Sequence, residues 1–276
     1  MIAAASAREA LAAATDALAA AGVGSPRLDA ELLLAAATGD DRARLVADPE
    51  REVDAASARR FGAMVRRRLA REPVAYILGR KGFRHLELAV DGRALIPRPE
   101  TELLVELALE LRPRVVIDVG TGSGAVALAI ASELPGASVV GTDVSQLTLE
   151  LARENARRLG LDDRARFLQG SLPAGAATDL LVANLPYVSE AAWEGLEPEI
   201  IRWEPREALV AGPTGLEAIE GLLAEVAVAD ANGALGLEVG AGQADTVAEL
   251  VRRAGFDRVE SRADLAGIER VVVGRR

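Results

Sequence analysis

The 276-residue chain contains no cysteine and a single histidine, His85. The first absence excludes disulfides and thiolate nucleophiles, and it fits a cytoplasmic setting. Together the two leave no His/Cys cluster with the spacing of a zinc site, so no metal is expected. Aromatic residues make up 3% of a chain that is 50% hydrophobic, so Ala, Leu and Val must fill the core. No run reaches the ~20 apolar residues that span a bilayer, and no membrane association is expected. The N-terminal "MIAAASAREALAAATDALAAAG" is interrupted by Arg8, Glu9 and Asp16 at helical spacing, the pattern of an amphipathic first helix rather than of a signal peptide. An excess of positive charge is missing too: the net charge is −10. Residues 1–75 hold 11 Arg and 11 Asp or Glu, so the other 21 basic and 31 acidic residues place all the excess negative charge in the rest of the chain. Proteins that grip nucleic acid by its phosphates usually carry the opposite sign, which argues against direct nucleic-acid binding.

What is present divides the chain into three parts. Residues 1–75 read as helices only. "SAREALAAATDALAAAG" stops at Gly22, and "SPRLDAELLLAAATG" offers Ser25 as N-cap, Pro26 at the first helical position and Gly39 as the stop. A third helix, "DAASARRFGAMVRRRLARE", carries Ala58, Phe61, Val65 and Leu69 on one face. Arg59, Arg60, Arg66, Arg67 and Arg68 occupy the other, which reads as a solvated face, with a docking surface for an acidic or phosphate-bearing partner as the alternative. Residues 76–98 form a linker in which "FRHLELAVDGRALIP" alternates and then turns at Asp91-Gly92, a hairpin signal that gives His85 a structural place. From residue 99 to 276, short apolar strands ("RVVIDVG", "SVVGTDV", "ARFLQG", "TDLLVAN", "GALGLEVG") alternate with helical patterns. That alternation implies an α/β fold with a parallel sheet covered by helices on both faces.

The segment "VVIDVGTGSGAVALA" places Gly120, Gly122 and Gly124 in the turn between the first sheet strand and its helix, where the backbone can approach a ligand closely. Ala125 leaves a dinucleotide-type G-x-G-x-x-A reading open. Two acids sharpen the choice. Asp118 precedes the glycines, placed to organise the loop and to meet a ligand's ammonium group. Asp143 closes the next strand, placed to accept from both hydroxyls of a ribose. A donor with a sulfonium, an amino group and a free ribose, such as S-adenosylmethionine, matches this better than a pyrophosphate.

"DLLVANLPYVSE" then ends an apolar strand on Asn184, Leu185, Pro186 and Tyr187. A conjugated NH2 is a poor nucleophile because its lone pair is delocalised, and two acceptors aimed at its hydrogens fix its orientation. The Asn184 side-chain oxygen and the Leu185 carbonyl are the candidates. Pro186 restricts Leu185 to an extended conformation and so directs that carbonyl, and Tyr187 can pack on a planar group. Asn-x-Pro is also ordinary turn chemistry, and the motif by itself leaves carboxamide and adenine both open.

"DVGTGSG", "GTDVS" and "NLPY", in that order, resemble the class I S-adenosylmethionine-dependent methyltransferases that act on amino groups. The resemblance implies that Gly120, Thr121, Gly122, Ser123, Gly124 and Asp143 hold the donor, with Asp118 and Asn184 bordering it. In that class the loop after "RFLQG" brings an acid and often an aromatic to the adenine. Here the positions are Ser171 and Leu172, a departure that leaves Leu172 as the adenine-side candidate. Longer segments narrow the family: "REPVAYILGRKGF", "LIPRPETE", "EPREALVAGPTGLEAI", "EVGAGQ" and "DLAGIERVVVGR" together resemble the peptide-chain release factor glutamine methyltransferases of the PrmC/HemK kind. Leu185 departs from the "NPPY" spelling usual there, and "NLPY" itself resembles ribosomal-RNA adenine dimethyltransferases. The resemblance implies a seven-stranded, mostly parallel Rossmann-like sheet whose final hairpin adds an antiparallel strand. It also implies a small helical domain that helps hold a protein substrate, and a cytoplasmic, monomeric enzyme. The implied reaction is N5-methylation of the glutamine in the Gly-Gly-Gln loop of class I release factors. Three rivals stay open: a nucleic-acid adenine methyltransferase, a nicotinamide dehydrogenase and a non-catalytic donor-binding module.

Overall fold

The computed structural model describes residues 6–172, 178–229 and 233–276. Asp230, the last residue of the predicted "GLEAIEGLLAEVAVAD" helix, lies outside them. The chain divides into two compact units, one of residues Met1–Gly79 with Glu197–Trp203, the other of Arg80–Leu196 with Glu204–Arg276. Among the described residues no helix is long and apolar enough to cross a membrane.

The smaller unit contains helices Ala7–Ala20, Pro26–Thr38, Arg42–Ala47, Ala55–Leu69 and Val74–Leu78. Ser6 and Glu9 close a capping box on the first of these, each satisfying a backbone N–H of the other. Gly39 ends the second in the left-handed region at φ 77°. Leu11, Leu18, Leu33, Leu34 and Phe61 form its core.

Three expectations need correction here. The helical unit runs past residue 75, because Val74–Leu78 is a further helical turn that packs into the same core. It also takes in helix Pro198–Trp203, from far along the sequence. Finally, helix Ala55–Leu69 turns Ser57, Phe61 and Arg68 inward and leaves Ala58 and Leu69 exposed. Arg68 is buried because it has partners there: its guanidinium reaches Asp29 Oδ2 and Glu199 Oε1, both at 2.7 Å. Arg60 and Arg67 are engaged as well, with the Ala37 carbonyl and Glu72 respectively.

The larger unit opens with a hairpin of β1 (Arg80–Phe83) and β2 (Leu86–Ala89). Its turn is Arg84-His85, with Arg84 at φ 51°, and not Asp91-Gly92, which follows β2. Burial decides the register: Phe83, Leu86 and Leu88 all face inward, whereas in one continuous strand ending at the glycine Phe83 would point opposite to Leu86 and Leu88. His85 sits beside Ser132, its Nε2 2.9 Å from the hydroxyl.

The main strands are β3 (Val115–Val119), β4 (Ser138–Asp143), β5 (Ala165–Gln169) and β6 (Leu180–Ala183). A short parallel pair follows, β7 (Val188–Ser189) with β8 (Val210–Gly212), then β9 (Ala234–Glu238), β10 (Arg258–Ala263) and β11 (Glu269–Arg275). The seven-stranded sheet has the order β10-β11-β9-β6-β3-β4-β5. Strands β9, β6, β3, β4 and β5 pair in parallel, whereas β11 runs antiparallel to both β9 and β10. Strand β6 reads LLVA and is buried throughout, as expected of a central strand covered on both faces. The carboxyl ends of β3, β4 and β6 therefore emerge side by side, and the chemistry-bearing motifs sit on those ends.

Candidate active site

A cavity of about 390 Å³ opens at this edge. It brings together Asp118, Gly120, Thr121, Gly122, Ser123, Asp143, Asn184, Leu185 and Pro186 from the sequence-derived set. Gly124, Leu172 and Tyr187 are not on its wall.

The glycine loop is shaped from below by Asp118. Its Oδ2 accepts from the Thr121 hydroxyl at 2.7 Å and from the Ala127 N–H at 3.1 Å, tying the loop to the start of helix Ala125–Glu133. Burial pushes the Asp118 carboxyl up to about 6, against the pull of these two donors. Gly120, Gly122 and Gly124 take φ of 73°, 58° and 84°. At Gly120 the positive φ disfavours a side chain, and a Cβ would lie 2.9 Å from Leu185 Cδ2, which would have to shift. The Leu185 side chain therefore rests on the glycine loop. Gly124 heads the helix and directs the loop without facing the cavity.

Asp143 accepts one backbone N–H on each oxygen, Gly122 at 3.2 Å and Ser145 at 2.9 Å. These fix the carboxylate plane at the tip of β4 and leave it further lone pairs. Burial raises its pKa. Past the end of β5, Ser171 lines the cavity, whereas Leu172 packs against the neighbouring apolar core and donates its N–H to Glu225 at 3.1 Å. The wall carries five carboxylates (Asp118, Asp143, Glu207, Glu217, Glu225) against two guanidiniums, Arg93 and Arg98. Both arginines are already paired, Arg93 with Asp91 and Glu154, Arg98 with Glu204. Such a wall suits a cationic ligand and disfavours a pyrophosphate.

At the end of β6 the Asn184 amide donates through Nδ2 to the Thr101 hydroxyl oxygen at 3.0 Å. Oδ1 is thus left available to accept from a ligand. Tyr187 turns away from the cavity: its carbonyl accepts from Gln243 Nε2 at 3.0 Å, and its ring packs close to Gly240. Burial pushes its phenol up to about 12, so it stays neutral and offers no base near neutral pH.

Several residues that shape the site were not singled out by sequence reasoning. Glu204 accepts the Ile96 N–H at 3.0 Å and pairs with Arg98, which ties "EPREAL" to "LIPRPETE". Gln243 of "EVGAGQ" bonds both the Gly240 N–H and the Tyr187 carbonyl. Gly215 of "GPTG" lies so close to the Tyr187 carbonyl that a Cβ there would approach it to 2.6 Å. The available signal was the recurrence of those motifs together; their physical tasks needed coordinates.

A sheet with one reversed strand at this position, and a glycine loop and acid at adjacent strand ends, define a class I methyltransferase fold. Solved structures agree: the hMettl16 catalytic domain in complex with a MAT2A 3′UTR hairpin matches with TM-score 0.57 at 15% identity, over 68% of this chain and 74% of that one. A methyltransferase from Pyrococcus furiosus matches with TM-score 0.51 at 17% identity, over 77% and 96%. Residues 9–79 match the PrmC N-terminal domain, and residues 102–187 match the ribosomal protein L11 methyltransferase (PrmA) model, which covers only the glycine-loop-to-"NLPY" region. Release factor glutamine methyltransferases from Caulobacter vibrioides and Moorella thermoacetica are 40% and 44% identical, over 95% and 98% of this chain and 93% and 98% of their own lengths. The chain belongs to the release factor glutamine methyltransferase family.

Proposed function

We propose that this chain transfers a methyl group from S-adenosylmethionine to the side-chain amide nitrogen of the glutamine in the Gly-Gly-Gln loop of class I release factors. The observation that carries the site assignment is the Asn184–Thr101 hydrogen bond, which engages the amide nitrogen and leaves Oδ1 available as an acceptor. The full-length relatives support the choice of a protein carboxamide over adenine, as does the acidic cavity wall.

The donor supplies an electrophilic methyl carbon, and the chain's own residues do the rest. The glycine loop gives close backbone approach, Asp118 and Asp143 complement positive charge and ribose hydroxyls, and Ser171 borders the adenine side. Asn184 Oδ1 and the Leu185 carbonyl accept the two N–H groups of the glutamine amide. That fixes the nitrogen in line for attack, so the rate gain comes mainly from positioning. No histidine stands on the cavity wall, and the nitrogen becomes strongly acidic as it is alkylated, so its proton leaves late, to water. On this reading the helical unit, residues 1–79 with Glu197–Trp203, helps hold the release factor, residues 80–98 link it to the methyltransferase part at 99–276, and the enzyme works as a cytoplasmic monomer without binding nucleic acid.

The test is incubation with isotopically labelled donor and, separately, purified release factor, the same factor with its Gly-Gly-Gln glutamine replaced by alanine, and ribosomal RNA. Label on the intact factor alone is expected. Label on RNA with the factor untouched would overturn the assignment.

A further inference from the structure

Glu238 is the buried acid that the scheme above leaves unused. It closes β9 with 2% exposure, and its Oε2 is buried without a hydrogen-bond partner among the described residues. The guanidiniums nearest in charge, Arg98 and Arg270, spend their ion pairs on Glu204 and Asp264. A carboxylate kept in such a place is less favourable than a neutral side chain of the same shape, so packing alone does not account for it. The Thr101 hydroxyl is the polar group that faces it and favours its ionised form; Thr101 is itself 4% exposed and the acceptor for Asn184 Nδ2 at 3.0 Å. Three side chains from the "LIPRPETE" loop, the end of β6 and the end of β9 thus form one line: Asn184, Thr101, Glu238.

A hydroxyl has one proton to give. We infer that Glu238 and Thr101 are positioning residues that set the orientation of the Asn184 amide: the Glu238 carboxylate takes the Thr101 proton, Thr101 can then only accept, and Asn184 must turn its NH2 inward and its Oδ1 to the cavity. The inference rests on the proposed glutamine reading for its consequence, not for its geometry. An amide can rotate by half a turn with little change of shape. Without the carboxylate, Thr101 can donate to Oδ1 instead, and Asn184 would then present N–H groups to the N–H groups of its substrate.

Protonation of Glu238 has the same effect, because the acid can donate to Thr101 and release the hydroxyl proton toward Asn184. Burial and Glu100 push Glu238 up to about 7, opposed by the Thr101 hydroxyl, Arg270 and Arg98; Tyr187, also facing it, stays neutral in this range. The carboxylate is therefore present above about pH 7 and lost below it, and the orienting effect is lost with it.

The experiment compares the full-length protein with Thr101→Val, Thr101→Ser and Glu238→Gln, each checked for native thermal unfolding. The Asn184 side-chain NH2 is followed by 15N–1H NMR without substrate, from about pH 5.5 to about pH 8.5, and kcat and KM are measured with release factor. The Asn184 resonance should titrate in the wild type, stay flat in Glu238→Gln and shift in Thr101→Val. Turnover should fall about 10- to 100-fold in Thr101→Val, recover to within about threefold in Thr101→Ser, and leave the donor dissociation constant unchanged. A pH-independent Asn184 signal, or Thr101→Val turning over like the wild type, overturns the inference. Should Glu238→Gln fail to fold, the two Thr101 variants decide alone. If the wild type does not methylate release factor at all, the proposed function fails, while the NMR titration still judges the orientation of Asn184.

Discussion

Asn155, in the helix after β4, donates its side-chain amide to the Ser123 carbonyl of the glycine loop at 3.0 Å. The same side chain accepts the Ala89 N–H at 2.7 Å and donates to the Ala89 carbonyl at 3.0 Å, and it is 1% exposed. One amide thus pins the end of the β1–β2 hairpin to the loop that approaches the donor.

Asn155→Ala should act on both. A buried group left unpaired costs about 1–3 kcal/mol, and the substitution strands the Ala89 N–H together with two carbonyls. Stability should drop by about 3 kcal/mol, and donor affinity should weaken about tenfold as the loop loses its anchor. Chemical denaturation and calorimetric titration with donor check the two effects. A loss of stability with donor binding intact would reduce Asn155 to a packing residue.

Asn184→Ala should separate binding from chemistry. The donor dissociation constant is expected to stay within about threefold, while turnover falls at least about 100-fold, because the substrate nitrogen loses its aim. The comparison needs only equilibrium binding and a single-turnover assay. Equal losses in both would move Asn184 into the donor site.

The strands, the long helices, the glycine loop and "NLPY" were legible because each is a local pattern: period 2 or 3.6, a glycine cluster, a proline corner. Four other features were not, for physical reasons. The hairpin turn uses Arg84 in a conformation where glycine is expected, so Asp91-Gly92 gave the stronger but wrong signal. Arg68 looked like part of a charged surface because its partner Glu199 is 131 residues away, beyond any window of periodicity. Thr101, Gln243 and Glu238 act on the site through other side chains, and nothing in their own residue type announces that task. Leu172, a candidate for the adenine side, faces the core, and Ser171 occupies the wall instead.

Asp118 gives a pH dependence of determinate sign. Its carboxyl is raised from 3.8 to about 6 in the folded protein, so between those values the folded state binds more protons than the unfolded one. Stability of the donor-free protein should fall as pH rises through that window, by up to about 3 kcal/mol from this group. A cationic donor favours the ionised form, so its affinity should weaken as pH falls below about 6. Asp118→Asn keeps an acceptor for Thr121 but carries no charge. It should raise the unfolding temperature of the donor-free protein near pH 8 while weakening donor binding about 10- to 100-fold. Thermal melts with and without donor across the window are the measurement; a variant less stable than wild type above pH 6 would contradict the burial argument.

Arg68 and Arg66 are two residues apart on one helix, yet they should behave as opposites. The Arg68 side chain is 7% exposed and bridges Asp29 and Glu199, and it also donates to the Glu72 carbonyl at 3.2 Å. Arg68→Ala leaves the largely buried Asp29 without its cation and Glu199 with Arg71 alone, and breaking a buried pair in this way costs about 3–5 kcal/mol. Arg68→Lys should recover only part of that, since a single ammonium cannot match the forked contacts of a guanidinium. Arg66→Ala, on the exposed side, should stay within about 0.5 kcal/mol of wild type. The same bridge predicts that residues 1–79 expressed alone, without Glu197–Trp203, unfold at lower denaturant than the helical unit in the whole chain, because Arg68 and Arg71 both lose Glu199. Denaturation midpoints followed by circular dichroism and by amide exchange in this unit decide it. If the fragment matches the intact unit, and Arg68→Ala matches Arg66→Ala, the buried bridge contributes nothing and the arginine row is the solvated face that its spacing first suggested.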